Sequence, residues 1–166
     1  DAIRRYSAQG VTFSGPTPGS GGGVLNVLSN FGVNPRSGSD FLAFNAGASY
    51  SGGVGNATSP ETIAFDSAQT LVRIYASGGD STNTLKMEAF DGGGASLGSV
   101  QVDAPGGDWA LMEVSATGIR RVVLSQVAGD GIFLFDDLTF EPGSGPSCQP
   151  DLTTGAIAGQ PGYGVP

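Results

Sequence analysis

Thr84-Leu-Lys-Met-Glu-Ala-Phe-Asp-Gly-Gly-Gly-Ala-Ser-Leu97 decides the fold class of this chain. Leu85, Met87 and Ala89 fall on one side of an extended backbone, and Lys86, Glu88 and Phe90 on the other. That two-residue period belongs to an antiparallel strand with one wet face. Asp91-Gly92 follows as a turn signal supplying positive φ at low cost, so the strands on either side are expected to pair as a hairpin. The same alternation recurs where Val72 and Ile74 oppose Arg73, where Ala110, Met112 and Val114 oppose Glu113, and where Val122 and Leu124 oppose Arg121. No segment holds a helical period beyond a turn or two. The chain is expected to be all-β.

Working outward, ten strands are expected at residues 10–14, 24–31, 41–45, 62–65, 71–76, 84–90, 96–102, 109–114, 120–126 and 131–140. Spacing of this kind, punctuated by Gly78-Gly79-Asp80, Gly106-Gly107-Asp108 and Gly129-Asp130-Gly131, is that of a sandwich or barrel. Residues 15–23 and 46–59 read as long loops. Glu141-Pro-Gly-Ser-Gly-Pro-Ser147 has no apolar side chain to bury and two prolines that resist pairing, so it reads as a linker. The expected organisation is a β-sandwich domain over 1–142, a linker over 143–147 and a tail over 148–166.

Composition narrows the function. The net charge is −8 with only seven basic residues among 166, which removes the electrostatic basis for binding phosphate backbones or anionic lipid. Nucleic acid is not an expected partner. No apolar run approaches the roughly 20 residues that a spanning helix needs, so no membrane insertion is expected. The chain has no histidine, which excludes Ser-His-Asp and Cys-His machinery and most zinc sites. Its glycine-rich stretches lack the strand–loop–helix setting of a nucleotide cradle. The single cysteine, Cys148, has no partner for an internal disulfide.

The tail Cys148-Gln-Pro-Asp-Leu-Thr-Thr-Gly-Ala-Ile-Ala-Gly-Gln-Pro-Gly-Tyr-Gly-Val-Pro166 resembles the opening of the GC-type dockerin-like anchoring repeat of secreted planctomycete-type bacterial proteins. The resemblance implies an extracellular or cell-surface location, a fragment of a larger protein, and an anchoring partner engaged through the tail. The blocks Phe41-Leu-Ala-Phe-Asn45, Glu61-Thr-Ile-Ala-Phe65, Ile119-Arg-Arg-Val-Val-Leu124 and Phe135-Asp-Asp-Leu-Thr-Phe140 together resemble a bacterial secreted β-sandwich family. This likeness implies an antiparallel, jelly-roll, carbohydrate-binding-module-like sandwich, ending in a disordered or extended C-terminal tail. It speaks to fold more than to activity.

Asp136-Asp137 interrupts an apolar run inside the last strand, and burying two unpaired carboxylates costs several kcal/mol or more. Jelly-roll carbohydrate-binding domains are similar in placing an aspartate of the final strand on a structural calcium (Ca2+), which takes six to eight oxygens. By the two-residue period Asp136 shares a face with Leu134 and Leu138, making it the inward ligand. Asp40, Glu61 and Asn45 are the candidate partners. The alternative is a bulge whose carboxylates accept backbone N–H groups without metal. For a glycan or polysaccharide the candidate rings are Tyr50 in the second long loop, Tyr75 and Phe90 on outer faces, and Trp109 at a strand start, where it also suits a core plug. Glu88 and Glu113 alternate with apolar faces and read as solvated. The expected function is a non-catalytic, glycan-binding or adhesive module. The alternatives are a structural spacer or coat domain, and a small glycosidase or lyase fragment using an Asp/Glu pair.

Overall fold

The computed structural model describes residues 5–16, 23–26, 31–43, 60–129 and 134–143. After a short 3-10 turn at Ser7–Gln9, eight strands follow: β1 Val11–Ser14, β2 Gly23–Asn26, β3 Asp40–Ala43, β4 Glu61–Ser77, β5 Asn83–Phe90, β6 Ser96–Ala104, β7 Ala110–Ala128 and β8 Leu134–Pro142. Every pairing is antiparallel.

Two strands are twice the expected length. The segments expected at 62–65 and 71–76 are one strand, β4, and those expected at 109–114 and 120–126 are one strand, β7. Each bends midway. The first half of β4 pairs with β1 and with the second half of β7, and its second half pairs with β8 and with the first half of β7. The sheet thereby folds over itself into two leaves, one ordered β1-β4-β7-β5-β6 and the other β2-β3-β8-β4-β7. Register shifts on either side of Gln69 mark the corner, as bulges do where strands change sheet. Gln69 is buried there and donates to the Ser67 carbonyl at 2.8 Å. Beside its partner Ile119 on β7, Gly118 takes φ +91°, a left-handed backbone that a side chain would strain.

Alternation then fills the space between the leaves. Val11, Phe13, Ile63, Val72, Ile74, Leu85, Met87, Met112, Val122, Leu124 and Phe135 form one buried cluster. A second, smaller cluster of Phe31, Phe41, Ala43 and Leu134, with Trp109 against it, lies on the opposite face of β3 and β8. Those strands are buried on both faces, which is why Leu134 and Phe135 run consecutively apolar.

The 84–97 hairpin forms as expected, β5 against β6. Its positive φ falls on Gly94 (+89°) instead of Gly92. The Asp91 carboxylate stabilises the turn by accepting from Gly93 N–H at 2.9 Å and Ala95 N–H at 2.8 Å.

Candidate functional site

The Asp136-Asp137 pair is a bulge. Arg73 and Tyr75 of β4 face Thr139 and Asp136 of β8, so Ile74 alone opposes both Asp137 and Leu138. Asp137 absorbs the extra residue with φ +51°, a left-handed conformation that aspartate tolerates better than most side chains. The bulge inverts the expected parity. Leu138 packs against the main core while Leu134 belongs to the outer cluster, so Asp136 does not share a face with both. Its carboxylate instead accepts from Arg36 N–H at 2.8 Å, Ser37 N–H at 3.3 Å and Asp137 N–H at 2.8 Å. Asp137 is bonded by the Arg36 guanidinium and the Ser37 hydroxyl. Burial pushes the Asp136 carboxyl above its ordinary value, and the three backbone donors oppose that shift.

The same arginine ties the clamp to the sheet, because its guanidinium lies 3.5 Å from the Tyr75 ring centroid. Sequence reasoning passed over Arg36: the stretch Asn34-Pro-Arg-Ser-Gly-Ser39 carries no periodic signal, and its partners are about 100 residues away. Replacing Asp136 by Ala strands two N–H groups of the 36–37 segment, and an unfolding midpoint in urea corresponding to a loss of about 2 kcal/mol is expected.

Of the expected cation ligands among the described residues, Asp40 and Glu61 are not both brought to Asp136. Among the described residues no three acidic side chains come together as a metal-binding group. Asp40 and Asp136 line one cavity, whereas Glu61 does not border it. Glu61 starts β4 across from Leu124. It is fully buried, neither carboxylate oxygen has a hydrogen-bond partner among the described residues, and burial pushes its pKa up to about 8. Asn45 and Tyr50 lie outside the described residues.

The cavity has a volume of about 340 Å³ and opens between the β1 edge of one leaf and the β2-β3-β8 edge of the other. Its walls include Tyr6, Val11, Phe13, Leu42, Phe135 and Phe140, with Asp40, Asp136 and Asp137 as its acidic members.

Three of the expected rings can be placed. Trp109 is half-buried, donates through Nε1 to the Asn34 carbonyl at 2.9 Å and tilts onto Phe41 at 6.4 Å, the arrangement of a plug. Tyr75 lies on the outer face of the second leaf under Arg36. Phe90 lies on the outer face of the first leaf with the Arg121 guanidinium 4.6 Å from its centroid. Apart from Phe90 and Val123, that face is mostly polar. Lys86 and Glu88 are bridged at 2.7 Å, Ser96 donates to Glu88 at 2.8 Å, Thr84 donates to Asp103 at 2.9 Å, and Gln101 is exposed beside them. Hydrogen bonds from Lys86 and Ser96 hold the Glu88 carboxyl below its ordinary value. Glu113, on the other leaf, is bridged to Arg73 at 2.5 Å.

No protein-family model matches the chain, and no curated protein matches it. Among solved structures it is similar to the K2 cleaved adhesin domain of Lys-gingipain, at 13% identity over 80% of this chain and 90% of that one, with a TM-score of 0.54. It is also similar to the module TmCBM61 in complex with β-1,4-galactotriose, at 13% identity over 86% and 99% of the two chains and a TM-score of 0.48. The xylan-binding domain from CBM 22 gives 18% identity over 85% and 92%, with a TM-score of 0.45. At such identities the likeness is one of fold. The doubled β4 and β7, the two leaves and the core between them make this chain an antiparallel jelly-roll β-sandwich.

Proposed function

We propose that this chain is a non-catalytic, extracellular or surface-displayed glycan-binding module. The observation that carries the reading is the outer face of the first leaf. Phe90, with Arg121 against its ring, stands at one end of β5, and Lys86, Glu88, Thr84, Asp103 and Gln101 line the same face of β5 and β6 away from it, offering donors and acceptors. Pyranose rings are bound by such pairings of an apolar ring face with side chains that hydrogen-bond hydroxyls in pairs. Absence of catalysis is supported by the roles of the two best-placed glutamates, each bridged to a basic residue on its own outer face, and not arranged as an acid and base across a cleft. Adhesion and glycan binding belong to those similar proteins; for this chain the reading rests on its own surface. The domain over 1–142 would display that face, with the tail over 148–166 engaging the anchoring partner.

A structural calcium is the second part of the reading, and Glu61 is the residue that would hold it. Its two buried oxygens, without a hydrogen-bond partner among the described residues, would supply two of the six to eight oxygens that the ion takes, whereas the Asp136 oxygens are already engaged by N–H groups. When bound, the ion would supply the positive charge that the buried carboxylate otherwise lacks.

The glycan reading is tested on an array of plant and bacterial polysaccharides, with Phe90→Ala beside the wild type. Saturable binding weakened at least tenfold by the substitution is expected, since base loss of a stacking ring and its neighbours' order exceeds about 1.4 kcal/mol. Wild-type protein that binds no glycan would overturn it and favour the spacer role.

A further inference from the structure

The cavity between the leaves is separate from the outer face on which the glycan reading rests, and its chemistry differs. Its volume of about 340 Å³ lies within the range of small-molecule sites. The walls are rings and branched aliphatic side chains, which favour a dry, apolar body. One group breaks that uniformity. Asp40 is half-buried on the same face of β3 as Leu42, and its only side-chain partner among the described residues is the Ser39 hydroxyl at 3.4 Å.

The other two aspartates of the lining are not in that state. Asp136 accepts three backbone N–H groups, and Asp137 is paired with Arg36. Among the described residues no lysine or arginine lines the cavity. An apolar chamber with one uncompensated carboxylate is complementary to a molecule that has an apolar body and a cationic head. A neutral guest would leave the carboxylate with its solvation reduced and nothing in exchange, and an anionic guest would add repulsion.

We propose that this cavity binds a small amphiphilic cation, an aryl or alkyl group bearing a protonated amine, with Asp40 as the counter-ion. The ring walls hold the body, and the ammonium sits against the carboxylate at the β3 edge. This site takes its ligand independently of the glycan face.

The test uses the full 166-residue chain, titrated with phenethylamine, its neutral isostere 2-phenylethanol and the anion 3-phenylpropionate, read by calorimetry and by NMR shifts. The amine should bind about tenfold tighter than the alcohol, the usual size of a charge-assisted contact at a partly exposed site, and the anion weakest of the three. Asp40→Asn should bring amine and alcohol to equal affinity. Val24→Phe, which adds a ring to the lining, should weaken all three, with thermal melts reporting that both variants fold. Phe90→Ala should change none of these affinities, which separates this site from the glycan face. Equal wild-type affinity for amine and alcohol, or no saturable binding of any of them, would falsify the assignment.

Discussion

In excess chelator, the wild-type protein should lose stability steadily as pH rises from about 5 to about 9, and Glu61→Gln should abolish most of that loss. The direction follows from the buried carboxyl. Its folded pKa is raised from 4.5 to about 8 by burial, so the folded state holds a proton that the unfolded state has released. The associated stability is fully present below the unfolded value and disappears as pH climbs through the folded value. Each unit of separation is worth about 1.4 kcal/mol, and the difference across the window is on the order of 4 kcal/mol. For a chain of this size that corresponds to roughly 10 °C in Tm. The glutamine variant keeps the shape without the charge and should be the more stable protein at pH 9, with the two nearly equal at pH 5.

Calcium supplies the second arm of this measurement. Saturating calcium should remove the alkaline loss in the wild type and leave Glu61→Gln unchanged, because an ion that binds only the folded carboxylate stabilises by mass action. An alkaline loss unaffected by calcium would leave the buried acid in place and remove the ion from the proposal. A wild type whose stability is flat across the whole window would contradict the burial of Glu61 itself.

Gly78→Ala should be the most damaging single methyl in the described chain. A Cβ at Gly78 would lie 2.0 Å from the Ser81 carbonyl oxygen, 2.9 Å from Asn83 N and 3.0 Å from the Ala104 carbonyl oxygen. All three are backbone atoms, which cannot rotate aside as a side chain would. They are also held in place. Gly78 N–H donates to the Pro105 carbonyl at 3.0 Å, Gly107 N–H to the Gly79 carbonyl at 2.8 Å, and the Asn83 amide to the Gly78 carbonyl at 3.2 Å. The turns after β4 and after β6 are thus interlocked, and separating them breaks several buried hydrogen bonds at once. A loss of about 3 kcal/mol or more is expected in urea unfolding. Gly92→Ala is the matched control: its Cβ would approach only the Arg120 side chain, at 3.5 Å, and the effect should stay within about 0.5 kcal/mol. Similar midpoints for the two variants would mean that the turns can separate without cost.

These two residues show where reading the chain stops being sufficient. Gly78 was legible as a turn residue, since Gly78-Gly79-Asp80 ends one apolar run before another begins. That the Gly106-Gly107 turn would be its hydrogen-bonding partner depends on β5 and β6 returning alongside, which no local pattern encodes. Glu61 was legible as a carboxylate at a strand start. Its complete burial depends on the inner face of the first leaf, across from Leu124.

The sequence by itself determined the all-β class, the 84–97 hairpin, the inward residues of β4, β5 and β7, and the outward placement of Phe90, Tyr75, Glu88 and Glu113. Those features follow from a two-residue period and from turn chemistry, both local. Tertiary structure decided that four expected strands are two, because bulges and Gly118 let a strand bend where its composition reads as a turn. It also decided the face of Asp136. One residue of bulge at Asp137 reverses every later side chain on β8, and the partner that fixes it, Arg36, comes from a segment about 100 residues earlier. Bulges and long-range clamps are set by the competition of pairings across the whole sheet, and so they become visible only when the strands are assembled.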